Sequence, residues 1–246
     1  MMFLRSMNPN YSKLHICKNP YIYQKFTLDS LGILCNPLTY NKFLLSYNNL
    51  PIDKNHINHN DNYPTRLRRF AKYNISIRTD NHYNIFYNHS LHFTQNVPDS
   101  RHVTRKFEPM ESQFIKEHWI LELITQSLSS SIKYSHKKGI QQAEVSLHQV
   151  RQICYPNMES HNSPEGIHQD GADFIVSAFV LNRQNISEGK TIIFNKYKDE
   201  IYNTTLHNGE GIFQEDKELW HYVTPIQAND NFIGYRDILG IDIILK

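Results

Sequence analysis

Cysteine is scarce: Cys17, Cys35 and Cys154 are scattered over 246 residues, too few and too far apart for a disulfide framework or a Cys-rich zinc site. That scarcity points to a reducing compartment, and a cytoplasmic location is the expectation. No stretch reaches the roughly 18–20 apolar residues that a bilayer-crossing helix needs. The opening Met1-Met-Phe-Leu-Arg-Ser-Met7 has no apolar run of signal-peptide length. Charge of one sign is missing too. Lys and Arg number 26 against 24 Asp and Glu, so a phosphate backbone would meet no electrostatic footprint, and nucleic acid is not an expected partner. The densest basic groups, Lys137-Lys138 and Arg66-Leu-Arg68-Arg69, read as solvated faces. No internal repeat is present, which excludes solenoids and propellers.

Aromatic residues are plentiful at 12%, which suits strands and half-buried surfaces. Two segments carry a helical pattern. Residues 37–50 follow Asn36 as a cap with Pro37 in the first turn, and residues 111–134 repeat Phe114, Ile115, Trp119, Leu121, Ile124 and Leu128 at helical spacing. Residues 66–78 and 82–87 look extended, joined by the turn-like Thr79-Asp80-Asn81. From residue 144 onward short strands follow one another at 145–154, 174–181, 190–194, 211–214, 219–226 and 236–245. Closely spaced strands without intervening helices predict a mostly β domain with flanking helices, built on a double-stranded β-helix, the cupin-like jelly roll. One domain is expected over residues 36–246, with a mixed flank at 36–143 and the core mainly at 144–246. Residues 1–35 read as an extension without an assigned role.

Pro164-Glu-Gly-Ile-His-Gln-Asp-Gly171 sets His168 and Asp170 two residues apart beside an apolar run. In extended chain such residues point to one side, so an imidazole and a carboxylate can grip one metal ion together. The triplet alone says little, because 14 His in this composition give roughly 0.7 His-x-Asp triplets by chance. His59-Asn60-Asp61 is such a triplet, set among asparagines in a turn-forming stretch, and reads as a surface loop. His168 differs in its flanking Gly166 and Gly171 and in the buried-looking strand that follows. His221, in another strand-like run, is the best third ligand. Two histidines and a carboxylate on one side of a metal leave the other positions open, the ligand set of non-haem Fe(II) oxygenases.

Glu165-Gly-Ile-His-Gln-Asp-Gly171, Asn182-Arg-Gln-Asn-Ile186, Leu219-Trp-His-Tyr-Val-Thr-Pro-Ile226 and Gly234-Tyr-Arg-Asp-Ile-Leu239 occur in the order and spacing of a known family. The chain resembles the bacterial 2-oxoglutarate/Fe(II) dioxygenases that hydroxylate free L-amino acids, such as isoleucine 4-hydroxylase. Softer likenesses lie at Asp61-Asn-Tyr-Pro-Thr-Arg-Leu-Arg-Arg-Phe70 and Val145-Ser-Leu-His-Gln-Val-Arg151, so the resemblance covers about residues 60–246. It implies His168, Asp170 and His221 as iron ligands, 2-oxoglutarate and O2 as cosubstrates, and a small amino acid with an aliphatic or thioether side chain as substrate. Arg236 is then the expected clamp for the distal carboxylate of 2-oxoglutarate, because a guanidinium fork takes a carboxylate through two charge-assisted hydrogen bonds. Thr224 can add a hydroxyl there, although alternation sets it on the face opposite His221. Arg183 and Arg151 are candidates for the substrate carboxylate and Glu165 for its ammonium. Where relatives commonly carry paired glycines this chain has Glu188-Gly189. His148 and Trp119 read as packing or surface residues. Rival readings are a dioxygenase of a carrier-bound amino acid or peptide, and a jelly-roll binding module without turnover. Oligomeric state is not written in the sequence.

Overall fold

The computed structural model describes residues 21–56, 62–78, 82–97 and 102–246, together with the backbone of 2–7. Its elements in chain order are β1 (Met2–Met7), β2 (Tyr23–Thr27), α1 (Pro37–Ser46), β3 (Arg66–Ile77), β4 (Tyr83–Asn88), β5 (His92–Phe93), β6 (Arg105–Lys106), α2 (His118–Tyr134), β7 (Gln142–Cys154), β8 (Glu159–Ser160), β9 (Phe174–Gln184), β10 (Ile186–Glu188), β11 (Lys190–Phe194), β12 (Glu200–Thr205), β13 (Glu210–Glu215), β14 (Trp220–Val223), β15 (Ile226–Ala228) and β16 (Gly234–Leu245). Eight strands form one sheet in the order β1-β4-β3-β7-β16-β9-β13-β2, and β12-β11-β14 form a smaller one. The jelly-roll expectation is met. Residues 1–35, left unassigned by sequence, supply both edge strands of the large sheet.

The large sheet is covered differently on its two faces. On one, α1 and α2 bury Phe43, Trp119, Ile120 and Leu123 against Leu147, Phe179, Leu239 and Ile241. On the other, Val150, Ala178, Val180 and Ile238 meet Ile193 and Leu219 from the small-sheet side. Strand alternation decides which residues go where. Along β16, Asp237, Leu239, Ile241 and Ile243 belong to the helix face, leaving Arg236, Ile238, Gly240 and Asp242 for the inner face, the last three of which line a cavity.

Both helices form as the pattern asks, with one difference. Asn36 caps α1, its side chain accepting from the Leu38 amide at 2.9 Å, with Pro37 at the first helical position. Helix α2 begins at His118 rather than near 111, because turns there bury Phe114 and Ile115 and the Ile115 carbonyl accepts the Tyr73 hydroxyl at 3.0 Å. The run expected at 219–226 splits at Pro225, which has no N–H for a ladder; β14 joins the small sheet and β15 another. The 79–81 turn, the His59-Asn60-Asp61 triplet and Cys17 lie outside the described residues. No helix among the described residues is long and apolar enough to cross a membrane.

Candidate active site

His168 and His221 face each other across a two-residue bridge. Their backbones exchange hydrogen bonds, His168 N to His221 O at 3.0 Å and His221 N to His168 O at 2.9 Å. The side chains therefore emerge on the same side, with ring centroids 4.3 Å apart. Asp170 completes the group, its oxygens 3.8 Å from His168 Nε2 and 3.4 Å from His221 Nε2. Among the described residues this is the one cluster whose three donor atoms, all within 4.8 Å of one another, suit a metal ion. The tautomers agree with that use. His168 Nδ1 sits 2.8 Å from the Gly166 carbonyl, so Nδ1 carries the proton and donates it, leaving the Nε2 lone pair toward Asp170. Gln214 lies 3.3 Å from His221 Nδ1, and the amide orientation that presents its otherwise unpartnered Oε1 accepts the Nδ1 proton.

Side chains that the motif does not contain hold it in shape. Asp216, fully buried after β13, accepts three backbone amides in a row: Asp170 N at 3.0 Å, Gly171 N at 2.7 Å and Ala172 N at 3.0 Å. Burial, with the Asp170 charge adding to it, pushes the Asp216 carboxyl up to about 7. Gly171 has φ +82°, and a Cβ there would stand 2.6 Å from the Asn96 carbonyl oxygen, so this turn requires glycine. Gln95 donates to Asp170 Oδ1 at 3.0 Å. Burial by itself would raise the Asp170 carboxyl; the bond and charge of His221, with the charge of His168, overcome it and keep the group ionised. His168 is held below its ordinary value by burial and by His221, while Asp170 raises His221 against burial. Each imidazole must offer a free lone pair to a metal, so a divalent cation in the triad would compete with protons for both histidines.

The triad opens on a cavity of about 210 Å³. Arg66, Arg68, Gln95, Arg105, His148, Glu165 and Asp242 bring charge and hydrogen bonding to its wall, with Phe93, Val150, Val176 and Ile238 as its apolar part. The solvated face expected for Arg66 and Arg68 is therefore corrected: alternation along β3 turns both inward and leaves Leu67 and Arg69 on the other face. His148, too, faces the cavity, with Nε2 3.0 Å from Asp242 Oδ2 and Nδ1 against the Arg68 guanidinium.

Residues 45–242 match the family model described as 2OG-Fe dioxygenase. The chain belongs to the 2OG-Fe dioxygenase family. Membership implies Fe(II), 2-oxoglutarate and O2, and the donor set fits: two neutral imidazoles and one carboxylate, presented from one side. Solved structures share the fold. A bsmA homolog from Methylobium petroleophilum PM1 is 20% identical with a TM-score of 0.76, over 90% of this chain and 88% of that one. IDO from Bacillus thuringiensis is 17% identical with a TM-score of 0.69, over 91% and 93%. The Fe(II)/(alpha)ketoglutarate-dependent dioxygenase TqaL is 15% identical with a TM-score of 0.64, over 91% and 83%. None of the curated proteins matches the chain in sequence.

In this 2OG-Fe dioxygenase family member the other sequence candidates fall in three places. Glu165 lines the cavity, its Oε1 3.6 Å from His168 Nε2. Arg236 is wholly buried, donating to Gln152 Oε1 at 3.1 Å and the Gly189 carbonyl at 3.3 Å, with Nε left without a partner. Arg183 is its ladder partner on β9 and donates to the Glu188 carbonyl. A Cβ on Gly189 would lie 3.3 Å from a terminal nitrogen of each arginine. Glu188 takes φ 60°, a left-handed conformation that glycine adopts freely, so the glycine common in relatives suits the backbone here. Arg151 and Thr224 are elsewhere. Arg151 is on the helix face of β7, bonded to both Asp237 oxygens at 2.6 and 2.9 Å and stacked over Tyr235. Thr224 spends its hydroxyl on the Lys190 amide at 2.9 Å. Asp216, Gln95, Gln214 and Arg105 went unnoticed in the sequence; the alternation of Arg66 and Arg68 along an extended run was the one signal that could have drawn β3 into the site.

Proposed function

We propose that this chain is an Fe(II)- and 2-oxoglutarate-dependent hydroxylase of a small free L-amino acid with an aliphatic or thioether side chain. The observation that carries it is the convergence of His168, Asp170 and His221 on the wall of a cavity of about 210 Å³, a concave site with an apolar part and a few convergent polar groups. When bound, the iron supplies redox chemistry that couples decarboxylation of 2-oxoglutarate by O2 to insertion of one oxygen atom into a substrate bond.

The protein's own part is binding, orientation and exclusion of water. The three ligands would hold the metal by one side, with Gly166 O and Gln214 fixing the imidazoles. Arg236 would take the distal carboxylate of 2-oxoglutarate. In support, it is buried with no acid acting on it: burial first, then the nearby charge of Arg183, bring it down to about 9. An isolated buried cation is costly, and an arriving carboxylate removes that cost. Arg183 shares the neighbourhood and one of its terminal nitrogens is buried without a partner. Thr191, two residues beyond Gly189, has a buried hydroxyl with no partner and is a better second donor than Thr224, whose hydroxyl is taken up by the Lys190 amide. Glu165, on the cavity wall, would receive the substrate ammonium.

Incubation with Fe(II), ascorbate, 2-oxoglutarate and each of the common amino acids tests the reading. Succinate formed in step with a hydroxylated amino acid is expected. Succinate formation that survives His168→Ala or Asp170→Ala would remove the assignment.

A further inference from the structure

Two guanidiniums reach the cavity from different elements and find no full anionic partner among the described residues. Arg68, on β3, lies 4.2 Å over the Phe107 ring, and Arg105, on β6, lies 5.9 Å from the same ring and 5.4 Å from that of Phe93. The nearest carboxylate to Arg68 is Asp53 at 3.9 Å, which is already bonded to Arg66 at 2.8 Å. The terminal nitrogen of Arg68 meets the neutral imidazole of His148, and that of Arg105 meets the neutral amide of Gln95. The Nε atoms of both are buried and unpartnered. Burial holds Arg68 down to about 9 and lowers Arg105, with the charge of Arg66 adding to it. Of the acids on the cavity wall, Asp170 is committed to the metal, Glu165 lies on the His168 side with Oε1 3.6 Å from Nε2, and Asp242 accepts from His148 and is pushed up to about 8 by burial.

We propose that Arg68 and Arg105 form the seat for the anionic group of the substrate, a carboxylate held in plane above the Phe93–Phe107 floor. This rests on the reading of the triad as an iron site, and it gives the substrate's acid end an address distinct from the 2-oxoglutarate clamp at Arg236. The forked donors of two arginines match a carboxylate, and the aromatic floor limits their movement. One carboxamide, that of Gln95, separates Arg105 from Asp170. The acid end of the substrate therefore sits close to the metal, and the oxidised atom lies only a few bonds from it. A small organic acid fits; a long acyl chain or a polypeptide carboxy terminus reacting far from its charge does not.

Calorimetry on the full chain, with Zn(II) in place of iron so that nothing turns over, tests the seat. The probes are 2-oxoglutarate, then L-leucine, L-isoleucine and L-methionine and the carboxamide of each. The acid form should bind about ten- to a hundredfold more tightly than its carboxamide, as expected for a charge-assisted pair. Arg105→Gln and Arg68→Gln should erase that preference with little change in 2-oxoglutarate affinity, Arg105→Lys should keep part of it, and Arg236→Gln should do the reverse. Retention of the acid preference in Arg105→Gln overturns the proposal. So does a loss of 2-oxoglutarate affinity in Arg105→Gln as large as in Arg236→Gln, which would make this pair the cosubstrate clamp. Thermal unfolding in acetate against acetamide at constant ionic strength gives a second readout: acetate should raise the midpoint of the wild type and not that of Arg105→Gln. Absence of that increment in the wild type sinks the seat while succinate formation stands; its presence without succinate formation sinks the enzymatic reading instead.

Discussion

His168 and His221 are a backbone-paired couple, 3.0 and 2.9 Å between their exchanged amides and carbonyls, although 53 positions separate them in the chain. The metal geometry is thus set by main-chain pairing before any ion arrives. Replacement of His168, Asp170 or His221 by alanine should leave the fold intact and reduce succinate formation below about 1% of wild type. Iron content by absorption spectroscopy, with chelation and Fe(II) readdition on the wild type, checks it.

Asp216 gathers three consecutive amides of the segment that carries Asp170. Asp216→Ala leaves those donors facing an apolar gap, and each buried, unsatisfied donor costs about 1–3 kcal/mol. We expect metal affinity to drop roughly 10–100-fold in a chain that still folds, with Asp216→Asn nearer the wild type. Titration with Mn(II) or Co(II) measures the difference directly.

Acid should weaken the fold through His56. Burial, with the positive charge of Arg66 nearby, brings its imidazole down to about 4. The unfolded chain titrates near 6.5, so between those values the unfolded state binds the extra proton, and stability falls as pH is lowered from about 6.5 to about 4. At most roughly 3 kcal/mol is involved. Urea unfolding at neutral pH and near pH 4.5 should show a smaller difference for His56→Asn than for the wild type; equal differences would remove His56 from the account.

Phe43, fully buried, packs edge-on against Tyr47, Phe114 and Trp119 at centroid distances of 5.6, 5.1 and 5.3 Å. Phe43→Ala should destabilise the protein by about 3–5 kcal/mol. Zn(II) affinity of the folded fraction should be unchanged, since this cluster lies on the helix face of the sheet. Chemical denaturation and metal titration of the one variant separate the two effects.

The parts legible in the sequence were those with a local signature. β11 is the strand read at 190–194, Asn36 and Pro37 start α1 as read, and the triplet at His168 carried its own flanking glycines. Polar residues on the inner face were misread because binary patterning equates polar with solvent. Arg66 and Arg68 alternate correctly for a strand, but the face they occupy is a cavity wall. Arg151 shares its face with Val145, Leu147 and Gln149, and nothing local tells whether that face meets helices or the cavity; Asp237 on the neighbouring strand decides it. Asp216, Gln95 and Arg105 act through contacts made only when distant segments meet, so no window of sequence contains them. His221 is legible from the opposite direction, because one imidazole and one carboxylate leave a metal short of a third ligand.

β16 lies between β7 and β9 and divides its side chains strictly, Arg236, Ile238, Gly240 and Asp242 to one side and Asp237, Leu239, Ile241 and Ile243 to the other. Deleting a single residue near its start would exchange the two rows. A guanidinium and a carboxyl would be driven against the helices while isoleucines crowded the chamber. Architecture and chemistry are written on opposite sides of one ribbon, so neither can drift in frame without carrying the other with it.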